Sequence, residues 1–293
     1  MKAWLAYATC ALVWGSTYFA IALGIESFTP YGMVASRYLS AGLMALVLGR
    51  LTGEPWPLRR DLPHLMLQGF LLLGISNALV TWAEGSVASG LTAVLCSTTP
   101  FFYALMNREG LTTRRVLGLI VGFVGVAILT LKGRQGLALH PVGFAALLTA
   151  TFLWAFGTLY ARTRVQGHSL LGNVGVQMLT GGGFGLLMTR FTGGFVHHPL
   201  THKALWAVVF LAIFGSLITQ TAFNYLSRVW PPAKMGTYSF LNPLVAVLLG
   251  SVFLKEPFTL RVALGMAVIL AGVALVQFPL RRATTAEAVT IET

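Results

Sequence analysis

Residues 204–226 read ALWAVVFLAIFGSLITQTAFNYL, 23 residues without a Lys, Arg, Asp or Glu. Wound as a helix at about 1.5 Å per residue, the run is about 34 Å long and crosses a hydrocarbon core about 30 Å thick. Its polar side chains Gln220 and Asn224 are followed by Ser227 at spacing i, i+4, i+7, which places all three on one helical face. An apolar helix with one polar stripe faces lipid on most sides and a protein interior on the other.

The same pattern recurs along the chain. Spans are expected at 3–25, 31–49, 64–83, 86–106, 114–131, 141–161, 170–190, 204–226, 232–254 and 261–279, with a polar tail over 281–293. The fold class is all-α integral membrane. Hydrophobic residues make up 56% of the chain and charged residues 10%, against about 25% charged in an ordinary soluble domain. Mean hydropathy is +0.77. Charges lie in the breaks between apolar runs, such as Glu54-Pro55-Trp56-Pro57, Arg114-Arg115, Lys132-Gly133-Arg134 and Trp230-Pro231-Pro232. A soluble protein of buried helices would need polar stripes about as long as the apolar ones. The run after Met1-Lys2 is read as a span rather than a cleaved signal because a matching segment recurs near residue 154.

The net charge of +12 sits at span ends, where Lys and Arg meet anionic headgroups; no basic patch interleaved with aromatics marks a nucleic-acid surface. The expected partners are membrane lipid and a small solute, with the chain a monomer or homodimer. Cys10 and Cys96 lie inside apolar runs, so neither a disulfide framework nor a metal site is expected, and no cofactor. With the N-terminus in the cytoplasm, thirteen of the 20 Lys and Arg fall on the cytoplasmic side and six on the other, Arg37 lying within a span. That excess places both termini in the cytoplasm.

The chain repeats itself. Trp14-Gly15 answers to Trp154-Ala155 at an offset of 140, and Pro100 to Pro243 at 143. The latter offset carries Asn77, Thr81, Trp82 and Glu84 onto Gln220, Asn224, Tyr225 and Ser227, while Glu109, Gly118 and Gly125 answer to Glu256, Gly265 and Gly272 at 147. Two units follow, 1–136 and 137–280. Five spans per unit is odd, so the units cross the membrane in opposite senses, the arrangement of transporters that rock around a midplane site.

Asn77, Thr81 and Glu84 form a stripe like that of Gln220, Asn224 and Ser227; Thr92, Cys96, Thr99 and Tyr103 form another, answered by Ser239 and Asn242. Interhelical glue worth about 0.6 kcal/mol per bond explains one such residue, but aligned stripes on four related spans point to a shared cavity. Trp14 and Trp154 lie mid-span, where interfacial anchoring does not apply, whereas Trp56, Trp206 and Trp230 stand at span ends as anchors. The candidate binding residues are Trp14, Tyr18, Asn77, Thr81, Trp82, Thr99, Tyr103, Trp154, Thr158, Gln220, Asn224, Tyr225, Tyr238, Ser239 and Asn242. An aromatic, weakly polar chamber suits a neutral, zwitterionic or delocalised cationic solute. Glu84 is the one candidate for proton or ion coupling, and Arg37 is expected to pair with Glu26 or Glu84 or to cap carbonyls. Pro100, Pro243 and Gly182, within Gly181-Gly182-Gly183, are candidate hinges. Gly118-x3-Gly122 marks close helix packing. No HExxH, zinc spacing or GxSxG stands in register on a span, so an enzyme is not expected.

At these residues the chain resembles the drug/metabolite transporter superfamily, in its ten-span EamA-type branch. The resemblance covers residues 3 to 279 and rests on Trp14-Gly15, the spans of Pro100 and Pro243, Leu254-Lys255-Glu256-Pro257 with Gly265 and Gly272, and the weaker Glu109, Gly118 and Gly125. It implies ten helices as two inverted five-helix repeats, alternating access and a bacterial inner membrane. The aromatic chamber is most similar to YddG-type amino-acid exporters, which implies export of aromatic or hydrophobic amino acids. A broad-specificity drug or cation exporter using the same residues, or a solute channel, stands as the alternative.

Overall fold

The computed structural model describes residues 1–85, 92, 95–107, 111–130, 141–253 and 259–277. Lys132-Gly133-Arg134, Glu109, Leu254 to Pro257 and the 281–293 tail lie outside them. Among the described residues six helices are long and apolar enough to cross a membrane: α1 (Lys2–Gly24), α2 (Pro30–Leu51), α3 (Arg59–Glu84), α6 (Pro141–Arg164), α7 (Leu170–Thr189) and α8 (His202–Val229). Shorter helices are α4 (Thr99–Met106), α5 (Thr113–Thr130), α9 (Tyr238–Phe253) and α10 (Leu260–Gln277), with one turn, Pro232–Gly236, leading into α9. Among the described residues the only β pairing is an isolated bridge between Phe28 and Val196.

Expected span 86–106 differs most. Its residues 86–91, 93 and 94 lie outside the described set, the chain turns at Ser97 and Thr98, and α4 starts afresh at Thr99. Pro100 therefore sits in the first turn of α4, where a missing N–H removes no helical bond, rather than at a mid-helix kink. Pro243 does lie inside α9. Span 232–254 is likewise divided, into the Pro232–Gly236 turn and α9.

Several helix ends are fixed by side chains. Thr29 caps α2 by accepting the Gly32 N–H at 3.0 Å, and Ser169 caps α7 by accepting that of Gly172 at 3.2 Å. Glu54 accepts the Leu170 and Leu171 N–H groups at 2.9 Å each, and buried Asp61 accepts those of Gly167 (2.6 Å) and Gln166 (3.1 Å). Two of the chain's eight acids thus serve backbone N–H groups, Asp61 those in the connection before α7 and Glu54 those in its first turn.

Both α3 and α8 widen into π-helix midway, at Phe70–Ser76 and Leu211–Ile218. A π segment leaves carbonyls that the i→i−4 ladder does not use. The residue after each segment reaches back five positions: Asn77 Nδ2 donates to Leu72 O at 3.0 Å and Thr219 Oγ1 to Phe214 O at 2.7 Å.

α2 packs on α7 and α5 on α10; α1 lies against α8 and α9, α6 against α3 and α4; the π segment of α3 meets α7 and that of α8 meets α2. Adding or subtracting five from each helix number exchanges α1–α8 with α6–α3, α1–α9 with α6–α4 and α3–α7 with α8–α2, and returns α2–α7 and α5–α10 to themselves. Glycines permit the closest contacts. A Cβ on Gly272 would strike the backbone of Gly122, and one on Gly182 would stand 2.8 Å from the Leu39 nitrogen. Gly182 is thus a packing contact between α7 and α2 rather than an unrestrained hinge, whereas Gly183 faces open space.

Large apolar side chains such as Leu12, Leu43, Val47, Leu186 and Trp206 cover the outer face, as lipid contact requires. Trp56 is exposed like Trp206, but Trp230 is buried. It packs on Trp4 (4.9 Å) and Tyr7 (5.5 Å) with Lys234 Nζ 4.2 Å over its ring, clamping the start of α1 rather than anchoring a span.

Candidate functional site

A cavity of about 110 Å³ lies where α1, α2, α3, α6, α8 and α9 converge beside the start of α4. A cavity needs roughly 10–15 Å³ to hold one water, so this one is several times that size and on the scale of a small organic solute. Of the expected binding residues, Trp14, Tyr18, Asn77, Thr99, Trp154, Gln220, Tyr238, Ser239 and Asn242 line it.

The other six lie elsewhere. Thr81 bonds the Asn77 carbonyl at 2.8 Å, and Thr158 that of Trp154 at 2.7 Å. Trp82 is 41% exposed on the outer face, Tyr103 is wholly buried, Tyr225 packs on the core, and Asn224 donates to Gln177 Oε1 at 3.0 Å. The wall also holds Thr17, Ile21, Arg37, Tyr38, Ser76, Val80, Cys96, Thr151 and Gly215. Helical spacing from the named residues would have found some of these: Thr17 is three after Trp14, and Thr151 three before Trp154.

One end is aromatic. Trp14 meets Trp154 (5.4 Å between ring centroids), Phe223 (5.2 Å) and Tyr238 (5.1 Å), and Phe223 meets Trp154 at 5.5 Å. Trp14 Nε1 donates to the Gly215 carbonyl at 2.9 Å, within the π segment of α8. Toward the N-terminus, Tyr7, Cys10 and Ala11 are buried, and the Tyr7 hydroxyl bonds Thr237 at 2.9 Å. The wall residues of α1 begin at Trp14, so among the described residues α1 is packed shut on the N-terminal side of the chamber.

The Ser and Thr hydroxyls of the wall spend their protons on backbone, while the Tyr18, Tyr38 and Tyr238 phenols line it as well. Thr17 donates to Trp14 O (2.7 Å), Ser76 to Ala150 O (2.9 Å), Thr99 to Cys96 O (2.7 Å), Thr151 to Leu148 O (2.9 Å) and Ser239 to Gly236 O (2.9 Å). With its amide oriented by its neighbours, Asn242 donates to Tyr238 O (3.2 Å) and Ala11 O (3.1 Å). Such a wall offers the chamber oxygen lone pairs and few free donors.

Arg37 is the exception. It is 3% exposed; its Nε donates to Ser216 Oγ at 3.1 Å, and its guanidinium carbon stands 4.6 Å from the centroid of Tyr38. Neither Glu26 nor Glu84 comes within ion-pair distance of it, although the Glu84 carboxylate feels its charge at longer range. Glu84 ends α3 off the cavity wall, with one carboxylate oxygen buried and unbonded. Among the described residues no group of His, Cys, Asp or Glu side chains is placed to hold a metal ion.

The sequence profile of the EamA-like transporter family matches residues 1–131 and 141–278. The chain belongs to that family. This EamA-family protein is 34% identical over 269 residues to the inner membrane transporter YedA of Escherichia coli K12, covering 90% of this chain and 87% of that one. It is 26% identical over 283 residues to a probable terminal-alkyne amino-acid exporter of Streptantibioticus cattleyicolor (94% and 93% covered). Against the transporter YvbV of Bacillus subtilis it is 24% identical over 276 residues (93% and 90%). One solved crystal structure superposes with a TM-score of 0.77 over 94% of this chain and 97% of the other, at 18% identity, a likeness of fold. The chain is a multi-pass membrane transporter.

Proposed function

We propose that this transporter exports amino acids, aromatic or otherwise hydrophobic, and similar amphiphiles, across a bacterial inner membrane. Two inverted five-helix halves, residues 1–136 and 137–280, rock around the central chamber, with both termini in the cytoplasm and the chamber here facing away from it. The observation that carries this reading is the chamber itself, walled by helices of both halves. Trp14, Trp154 and Tyr238 offer stacking surfaces, while Asn77, Gln220, Asn242 and the hydroxyl oxygens hold a polar end. The exchangeable packing pairs, the two π segments and the matched caps of α2 and α7 support the two-half reading. Kinship with an amino-acid exporter supports the substrate class.

No Asp, Glu or His among the described residues lines the chamber, which favours downhill export or weakly coupled exchange, with Glu84 the one acid near enough to take part. Purified protein in liposomes is expected to give saturable uptake of labelled hydrophobic amino acids, reduced in Asn242→Leu without loss of folding. Collapsing the proton gradient at a fixed solute gradient should leave the flux standing. Flux linear in concentration would instead indicate a channel, and no flux across the panel would overturn the reading.

A further inference from the structure

We infer that Arg37 is the specificity-determining anchor of the chamber, holding the carboxylate of an organic acid or amino acid while the apolar body lies on the aromatic wall. The inference rests on the central-chamber reading above and names the chemistry that the chamber selects.

A guanidinium carries five N–H donors in a planar fork suited to a carboxylate. In Arg37 one donor is spent, on Ser216 Oγ, and that bond with the Tyr38 ring fixes where the fork points. The remaining donors belong to the two Nη atoms, which hydrogen-bond nothing among the described residues; the Glu84 carboxylate feels the Arg37 charge but stands beyond ion-pair distance. A buried cation so poorly satisfied is costly unless the space before it supplies acceptors. That space is the chamber. Gly215 keeps it open: a Cβ there would stand 3.5 Å from Nη2 of Arg37 and 2.8 Å from Thr17.

The rest of the wall points the same way. Ser and Thr hydroxyls that have donated to nearby backbone carbonyls present only lone pairs, which serve an ammonium and repel a carboxylate. Arg37 is thus where a carboxylate finds donors and charge together. A fixed cation also disfavours a purely cationic solute, which separates this chamber from that of a cation exporter.

Three probes sharing a phenyl ring test the assignment by calorimetric titration of the full chain in lipid nanodiscs: phenylalanine, 3-phenylpropionate and phenethylamine. Phenylalanine and 3-phenylpropionate should bind about tenfold or more tightly than phenethylamine. Arg37→Gln should erase that preference, and Arg37→Lys, which keeps the charge but loses the fork, should restore it in part. If Arg37→Gln does not fold, the ranking of the three probes on the wild-type chain still decides the question. Phenethylamine binding as well as 3-phenylpropionate, or a folded Arg37→Gln protein that keeps the preference, would overturn the role of Arg37 and leave the chamber reading standing. Saturable binding of none of the three would overturn both.

Discussion

Arg37 and Gln177 stand at the same register of two like helices. Each is the eighth residue of a helix capped by a hydroxyl, Thr29 before α2 and Ser169 before α7, and the two helices pack on each other. Gln177 is consumed by its surroundings: it donates to Gln68 at 2.7 Å and accepts from Asn224 at 3.0 Å and Gln220 at 3.4 Å, tying α7 to α3 and α8. Arg37 spends a single donor and turns the others to the chamber. In the proposed two-half reading the halves share caps, π segments and packing pairs, and they diverge where a solute is proposed to touch.

The sharpest break would come from exchanging the two side chains. Gln177→Arg buries a cation among amides without a counterion, which should cost about 3–5 kcal/mol or prevent folding, read by unfolding in detergent. Arg37→Gln should cost far less, because the chamber solvates the site; equal losses would refute the contrast. Next in size is a pair of adjacent glycines on α7. Gly182→Ala forces a methyl against the α2 backbone and should cost about 1–3 kcal/mol, whereas Gly183→Ala meets nothing and should be neutral or stabilising. Smallest is the tryptophan pair. Trp14→Phe and Trp154→Phe remove the same ring volume, but the first also leaves the Gly215 carbonyl without its donor and should cost about 1 kcal/mol more than the second.

The helices could be read from uncharged runs, because in lipid the cost of each charge dominates every local propensity. The site was read in part. A stripe at i, i+4, i+7 is drawn on an ideal α-helix, but the π segments of α3 and α8 end just before Asn77 and Thr219 and change how the face below them presents. Asn77 and Gln220 reach the chamber, whereas Thr81 turns to its own helix and Asn224 to Gln177, since a polar side chain in a span is satisfied equally well by a neighbour. Pro100 reads alike in sequence at a helix start or a kink; the turn at Ser97 and Thr98 decides between them. Arg37 was expected to pair with Glu26 or Glu84 or to cap carbonyls, and spacing alone does not reveal that Ser216, within the π segment, would take its Nε instead.

Cys96 offers the most direct test of the central claim, that both halves enclose a solute chamber. It is a free thiol on the chamber wall, while Cys10 is wholly buried. In right-side-out vesicles a membrane-impermeant thiol reagent should modify Cys96 from the face opposite the N-terminus, and saturating phenylalanine should slow the reaction, with Cys96→Ser unlabelled. Labelling that phenylalanine leaves unchanged, or no labelling from either face, would contradict the account.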